Sequence, residues 1–217
     1  MTAESFVTAL EAENRALLEE LARKSEAGAP PALNVAALLK IALRNELEAA
    51  EVAAAWMLDT PELDAKLALA RQCGDEAKHY RWIEERLAAL GEPLEGFDPR
   101  AGGPSPLLTY LRSLRSTVER AAAGQFTREA IALVRNQVFA TLCVERGDLA
   151  TAALYRDRIQ PDEQHHHELG RRLLQRYATT AEAQERARAA ARRTLHLAEE
   201  IQELARLKAG VSRAPGC

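Results

Sequence analysis

The sequence predicts an all-α protein, a four-helix bundle with extra N-terminal, crossover and C-terminal helices. The strong helix formers Ala, Leu, Glu and Arg dominate its 217 residues, whereas the 11 Gly and 9 Pro fall in a few clusters. Apolar residues recur at helical spacing between these clusters. Two stretches are built alike, each as a helix, a hairpin and a second helix, which is typical of a bundle made of two helical pairs.

The N-terminal helix is predicted from the spacing of its apolar residues. Residues 3–27 carry Phe6, Leu10 and Leu17 on one helical face, and the run Gly28-Ala29-Pro30-Pro31 ends the pattern. We therefore expect residues 1–28 to form a helix of their own, outside the four-helix bundle at 29–178.

The first helical pair of the bundle is predicted around a tight turn. A long helix is expected from about residue 34 to 58, and the turn signal Asp59-Thr60-Pro61-Glu62 follows it. Thr60 suits the N-cap of the next helix and Pro61 its first helical position. That second helix is expected to run to residue 90, because Gly91 follows as a C-terminal glycine.

A long crossover at about residues 91–126 is predicted to join the two pairs, since 91–104 is rich in Gly and Pro. Ser105-Pro106 should cap a helix within it that ends near Gly124. The third helix of the bundle is then expected to start at Thr127 and to end at Gly147.

The fourth helix of the bundle can be placed in two ways. Gly147-Asp148 looks like a C-terminal glycine followed by an N-cap, which gives one helix over 148–178 with Pro161 inside it, at a cost of about 3 kcal/mol or a kink. The alternative breaks the chain at Gln160-Pro161. The first is preferred, because Asp148 precedes Glu163 by the same 15 residues that separate Pro61 from Glu76.

The last helix is predicted to begin at a capping box formed by Thr179 and Glu182. It should cover 179–209 and carry a charged face, whose Arg-rich part at 186–193 is either solvated or a contact for an anionic partner. The tail at 210–217 is expected to be disordered.

One motif occurs twice. Asp75-Glu76-Ala77-Lys78-His79 and Asp162-Glu163-Gln164-His165-His166 both read D-E-x-x-H within predicted helices. Residues three apart lie on one helical face, so each Glu and His point the same way. Two such pairs facing each other would supply most of a dinuclear metal site. In the second copy His167, at i+4, is the alternative to His166.

Glu46 is predicted as the third ligand of the first half, because of its level along the antiparallel helical pair. Glu46 lies 14 residues before Thr60, and Glu76 lies 16 after it, so both carboxylates sit at nearly the same level. Glu46, Glu76 and His79 can then converge on one metal ion, although Glu46 could instead be a solvated charge. Mixed carboxylate and imidazole ligation suits iron or manganese.

On these motifs the chain resembles the ferritin-like di-metal carboxylate superfamily over residues 34–178. Its segment Glu-Leu-Glu-Ala-Ala-Glu before Asp-Glu-Ala-Lys-His-Tyr is most similar to the oxygenase-like members such as bacterial tRNA hydroxylase, and rubrerythrins are further members. The resemblance implies two bound metal ions, iron first and manganese as the alternative. It implies these ligands: Glu46, Glu76, His79, Glu163 and His166. It also implies that Asp75 and Asp162 accept hydrogen bonds from the ligand imidazoles.

The sixth ligand departs from the family pattern, which has a Glu about 30 residues before the second E-x-x-H. The segment 41–46 is repeated at 131–137 with one inserted Val, and this repeat places Gln137 where Glu46 stands in the first half. Gln137 is therefore the predicted sixth ligand. Glu129 and Glu145 are the alternatives, one in the first turn of its predicted helix and the other near a hairpin tip.

The function implied by the resemblance is that of a non-haem di-iron oxidoreductase, an oxidase or hydroxylase that activates O₂ for an unidentified substrate and electron donor. Iron oxidation or metal handling, and a metal-poor helical scaffold that binds a partner, are the alternatives. The ferritin cage is disfavoured by the extra helices. A homodimer is one of the assemblies expected of an oxygenase-like protein.

Charge and cysteine content argue against several classes of protein. A net charge of −3 and a pI near 6.0 do not indicate nucleic-acid or membrane binding. No apolar run reaches the roughly 18 residues of a membrane span, and residues 1–5 lack the features of a signal peptide. Cys73, Cys143 and Cys217 form no C-x-x-C pair, which indicates a reducing compartment. We therefore expect a soluble, cytoplasmic protein.

Overall fold

The computed structural model describes residues 1–26, 34–92, 94–209 and 214–216. This part of the chain is all-helical, as predicted, and contains no strand. None of its helices is both long and apolar enough to cross a membrane. The predicted break at 28–31 lies outside the described residues.

Nine α-helices and two π-helical segments make up the described fold. The α-helices are α1 (Ala3–Glu26), α2 (Val35–Asp59), α3 (Leu63–Ala89), α4 (Pro106–Ser113), α5 (Thr117–Ala121), α6 (Glu129–Glu145), α7 (Leu149–Leu154), α8 (Gln160–Tyr177) and α9 (Ala181–Ala209). The π-helical segments, Ala122–Arg128 and Tyr155–Ile159, join α5 to α6 and α7 to α8.

The hairpin between α2 and α3 forms as predicted, but its caps differ. Thr60 ends α2 instead of starting α3, since its N–H and hydroxyl both donate to the carbonyl of Trp56, at 3.0 and 2.8 Å. A residue before proline avoids the helical region, and Thr60 is extended (ψ 120°). Pro61 therefore lies outside the helix, and Glu62 occupies the N-cap position of α3.

The second helical run begins earlier than predicted. Ser116 forms a capping box with Glu119 at the start of α5, and the chain stays helical from there through the π segment into α6. The predicted break near Gly124 and helix start at Thr127 are therefore wrong. Gly124 serves packing, because a Cβ on it would lie 2.6 Å from Cζ3 of Trp56.

The preferred prediction, one helical run over 148–178 with Pro161 inside it, is confirmed. Gly147 has a φ of 76°, and the Asp148 carboxylate accepts the Thr151 N–H at 3.0 Å as the N-cap of α7. Helical structure then continues across Pro161 to Tyr177. Pro161 directly follows a π-helical segment, where the regular hydrogen-bond ladder is already shifted and a missing N–H disturbs it less.

The last helix starts one residue later than predicted. Thr180, and not Thr179, caps α9 by accepting the Ala183 N–H at 3.1 Å. The expected disorder of the tail is wrong for residues 214–216, of which Pro215 and Gly216 are buried against α2 and α6. Residues 210–213 and 217 lie outside the described part.

The apolar core consists of two main clusters on either side of a polar layer. On α2, Leu43 belongs to one cluster and Trp56 to the other, with buried Glu46 between them. The antiparallel helix α3 has the reverse order, with Leu69 in the Trp56 cluster and Ile83 in the Leu43 cluster. The polar layer thus lies in the middle of the helical hairpin, and apolar side chains shield it above and below.

Candidate metal centre

Six side chains of the polar layer form two overlapping groups of ligand atoms, each group within 4.8 Å. The first consists of Glu46, Glu76, His79 and Glu163. The second consists of Glu76, Glu129, Glu163 and His166. Two carboxylates, Glu76 and Glu163, are common to both groups. These two groups could hold cations in adjacent positions, with the shared carboxylates between them.

Four helices supply these side chains. Helices α2 and α6 contribute one Glu each, and α3 and α8 contribute the E-x-x-H pairs. The i,i+3 spacing places each Glu beside its own His on the face that points inward. None of the six residues is more than 3% exposed. Bulk water therefore neither solvates nor screens this concentration of acidic groups.

The first group is centred on one ring nitrogen of His79. Its Nδ1 lies 3.3 Å from Glu46 Oε2, 3.4 Å from Glu76 Oε2 and 3.6 Å from Glu163 Oε1. Carboxylates from three helices, α2, α3 and α8, therefore converge on one imidazole nitrogen. A cation placed among them would meet three oxygens and one nitrogen.

The second group repeats this arrangement around His166. Its Nδ1 lies 3.3 Å from Glu163 Oε2 and 3.8 Å from Glu76 Oε1. Glu129 completes the group from α6. Because Glu76 and Glu163 each turn one oxygen toward His79 and the other toward His166, both carboxylates are placed to bridge two cations.

The aspartates of the two motifs are exchanged between the halves. His79 Nε2 lies 3.3 Å from Asp162 Oδ2, and His166 Nε2 lies 3.2 Å from Asp75 Oδ2. With Nε2 protonated, each imidazole donates to the aspartate of the other motif and leaves Nδ1 as the ligand atom. The contacts expected of Asp75 and Asp162 are thus present, in a crossed arrangement that spacing along one helix does not reveal.

Gln137 is not part of the centre, which corrects the predicted sixth ligand. Its side chain is exposed on α6, as is that of Glu145, whereas Glu129 is 1% exposed and belongs to the second group. The predicted helix start at Thr127 counted against Glu129, because it placed this residue in the first turn of the helix. The helical run actually begins at Thr117, so Glu129 lies well inside it and faces the core.

A buried amide network holds Glu129. Gln72 Nε2 donates to Glu129 Oε1 at 2.7 Å and approaches Glu76 Oε1 at 3.2 Å, and Gln125 Nε2 donates to Gln72 Oε1 at 2.8 Å. Arg128 adds a cation 3.5 Å from Glu129 Oε1. Gln72 could have been found from sequence, because it stands one helical turn before Glu76 on the same face.

The remaining histidine of the second motif has another role. His167 Nδ1 lies 2.7 Å from the Phe126 carbonyl oxygen, and its ring stacks on the Phe126 ring with centroids 4.9 Å apart. His167 therefore packs against the π-helical segment, outside both ligand groups, and is excluded as the alternative to His166.

The two histidines have a strong preference for the protonated form when no cation is present. Burial lowers the pKa of His79, but its hydrogen bonds with Glu46 and Glu76 outweigh burial and raise that pKa to about 12. His166 behaves alike, since burial is outweighed by Asp75 and Glu163, and its pKa rises to about 11. Protons thus take the place that cations could hold.

The carboxylates divide into two kinds. Burial raises the pKa of Glu46 to about 8 and that of Glu129 well above its ordinary value. Burial would raise Glu76 too, but the hydrogen bond with His79 and the charge of His166 lower its pKa to about 2. In the metal-free protein, protons retained on Glu46 and on the two histidines reduce the negative charge buried in the centre.

The donor set fits a pair of divalent cations. The four carboxylates of the two groups carry four negative charges when ionised, which two divalent cations balance, with both imidazoles neutral. Oxygen and imidazole nitrogen ligands without thiolate suit iron or manganese better than a structural zinc site. The buried cluster could therefore hold metal ions.

Comparison of the chain with family models, curated proteins and solved structures gives no match in any of the three. The functional argument therefore rests on the geometry of the centre.

Proposed function

We propose that this chain is a ferritin-like dinuclear metal protein that activates O₂ to oxidise an organic substrate. The observation that supports it is the pair of ligand groups sharing Glu76 and Glu163, buried between two apolar clusters. Two carboxylates from single-Glu helices and two E-x-x-H pairs form the donor set of ferritin-like di-iron proteins.

In this proposal Glu46 and His79 would hold one ion, Glu129 and His166 would hold the other, and Glu76 and Glu163 would be available to both. A pair of iron ions, or of manganese ions, would supply the electrons and the open coordination needed to reduce O₂. Iron is the first choice because carboxylate and imidazole ligands favour it.

The chain's own residues orient the ligands and exclude water. Asp75 and Asp162 fix both imidazole rings by accepting from Nε2, so the rings keep Nδ1 toward the cluster. Gln72 fixes the carboxylate of Glu129. The apolar clusters on either side keep bulk water from the centre, which protects a reactive intermediate from side reactions.

The buried charges also argue against a scaffold without metal. A structural bundle has no need for four carboxylates at the centre of its core, where each ionised group is costly unless paired. Replacement by apolar side chains would stabilise such a bundle. The presence of the whole donor set in the core supports a role in metal binding.

The test is metal content per chain in protein loaded anaerobically with Fe(II), with Glu129→Ala compared with the matched control Gln137→Ala on the same helix. We expect two ions in the wild type and in Gln137→Ala, and one or fewer in Glu129→Ala. A wild type that binds no iron refutes the proposal. Loss of iron in Gln137→Ala, with Glu129→Ala unaffected, refutes the assignment of Glu129.

A second measurement addresses the chemistry. Oxygen consumption by the reduced, loaded protein should be catalytic when a reductant and a suitable substrate are supplied, and Glu163→Ala should abolish it. Consumption that stops after one equivalent per iron pair under every condition would instead indicate iron oxidation without an organic substrate.

A further inference from the structure

A short segment, residues 214–216, lies in a groove between α2 and α6, held by one asparagine from each helix. Asn45 Nδ2 donates to the Pro215 carbonyl at 2.9 Å, and the Gly216 N–H donates to Asn136 Oδ1 at 2.8 Å. Asn45 thus binds a main-chain acceptor, and Asn136 binds a main-chain donor. Both hydrogen bonds go to the backbone of the segment.

The two asparagines are equivalent positions of the internal repeat. Asn45 follows Arg44 and precedes Glu46, and Asn136 stands in the same order between Arg135 and Gln137. The repeat therefore has a structural meaning besides the metal ligands: it places one amide from each half on opposite sides of the groove. Asn45 is also the direct neighbour of a candidate ligand, so the groove lies next to the centre.

Gly216 makes the closest approach to the centre. A Cβ built on it would lie 3.3 Å from Asn45 Cβ and 3.6 Å from Glu46 Oε1. Its φ of 73° is in the left-handed region, which side-chain-bearing residues rarely adopt. Both the backbone and the available space call for glycine here. A side chain at this position would therefore lie against the carboxylate of Glu46.

An apolar cavity of about 110 Å³ reaches this segment from the side. Ile41, Leu107 and Ile201 contribute to its wall, and Asn45 and Ala214 also line it. The cavity and Gly216 share Asn45 as a neighbour, so the segment lies beside a route from this cavity toward Glu46.

The contacts of the segment leave one polar group of the groove unsatisfied. Within the described ranges, Asn136 Nδ2 is buried and has no hydrogen-bond acceptor, although its Oδ1 is engaged by Gly216. A buried donor without a partner is unfavourable. An occupant that satisfies this donor as well would displace the segment with a gain, which is the property of a site that can be exchanged.

We propose that the groove between Asn45 and Asn136 is the binding site for the backbone of residues 214–216, and that its filling closes access to the metal centre on the Glu46 side. The inference rests on the proposed function, since it gives the segment the role of a gate on that centre. When the segment leaves, small molecules reach Glu46 through the groove; when it is seated, they do not.

The test uses Gly216→Val in the full chain. A Val side chain there meets Asn45 and Glu46 and disfavours the left-handed backbone, so the segment is released without a change in any candidate ligand. Gly96→Val is the matched control: its φ of 75° imposes the same strain, but nothing lies within 4 Å of its Cβ. Asn136→Ala releases the segment by a second route, through loss of the Gly216 hydrogen bond.

Two readouts are compared: hydrogen–deuterium exchange of residues 214–216, and the rate at which a small chelator removes Fe(II) from the loaded protein. We expect faster exchange and about tenfold faster iron removal in Gly216→Val and Asn136→Ala, as loss of a hydrogen bond shifts a population by roughly this factor. Gly96→Val should match the wild type in both.

The outcomes separate this inference from the proposed function. Normal iron content with unchanged removal rates, although exchange shows that the segment is released, refutes the gate alone. Unchanged exchange in both releasing variants refutes the binding of the segment in the groove. A wild type that binds no iron refutes the proposed function and the gate together.

Discussion

Metal-free and metal-loaded protein should respond to pH in opposite directions. The perturbation is a change from about pH 5.5 to about pH 7.5, a range over which unfolded Glu is ionised and unfolded His loses its proton. The quantity measured is the free energy of unfolding. The expectation follows from the protons that Glu46, His79 and His166 retain in the folded, metal-free state.

The direction is set by pKa values that folding raises. Glu46 has a pKa of about 8 in the folded chain, above its ordinary 4.5. Its contribution to the stability of the fold is therefore complete below pH 4.5 and is lost as pH rises through 8. His79 and His166 act in the same direction: their contributions are complete below 6.5 and are lost toward 12 and 11. Glu76, whose pKa falls to about 2, changes the pH dependence of stability only below pH 4.5.

The magnitude follows from the number of protons. One proton taken up on folding changes the free energy of unfolding by about 1.4 kcal/mol per pH unit. Glu46 alone accounts for roughly 3 kcal/mol over the two units, and the histidines add to it above pH 6.5. Metal ions reverse the sign, because they bind the deprotonated ligands and bind more tightly as pH rises.

The assay is urea unfolding followed by circular dichroism, on apoprotein and on protein loaded with a redox-inert divalent cation, at several pH values. Glu46→Gln is the control, since it removes one titrating group and should flatten the slope of the apoprotein by about one proton. A metal-free protein that becomes more stable from pH 5.5 to 7.5, or equal slopes in both forms, would refute the reasoning.

Two further variants test the framework around the centre. Gly170→Ala should lower the free energy of unfolding by about 1–3 kcal/mol, measured by thermal or urea unfolding. The reason is that the added Cβ would lie 2.4 Å from the Phe126 amide nitrogen, a backbone atom. Wild-type stability would show that α8 does not pack so closely on the π-helical segment. Asp148→Ala should cost about 1–2 kcal/mol, since it removes the N-cap of α7 and the 2.6 Å contact with Arg86, whereas Asp148→Asn keeps the cap and should recover part of the loss.

Sequence patterns identified the local part of the candidate centre. The two E-x-x-H pairs follow from helical periodicity, which relates residues within one turn and is visible in any stretch of sequence. Glu46 followed from counting residues on each side of the turn after α2, which works because helical rise is constant. The structure brings these five side chains together with no change to the prediction.

The error at the sixth position had two sources: the repeat at 131–137 favoured Gln137, and a misplaced helix boundary counted against Glu129. Gly124 looked like a helix end, because glycine is unfavourable in helix interiors. Glycine is required at this position because the ring of Trp56, from a helix far away in sequence, leaves no space for a Cβ. Once the helix passes through Gly124, Glu129 takes the inward position and Gln137 faces outward.

The sequence by itself therefore determined the helical class, the two E-x-x-H pairs and the level of Glu46 beside Glu76, because all of these depend on spacing within a helix or across one short turn. That the two halves converge was implied by the resemblance to ferritin-like proteins. Only the tertiary structure decided three features: Glu129 as the sixth member, the exchange of Asp75 and Asp162 between halves, and the docking of residues 214–216 beside Glu46. Each depends on contacts between residues far apart in the chain, which periodicity does not encode.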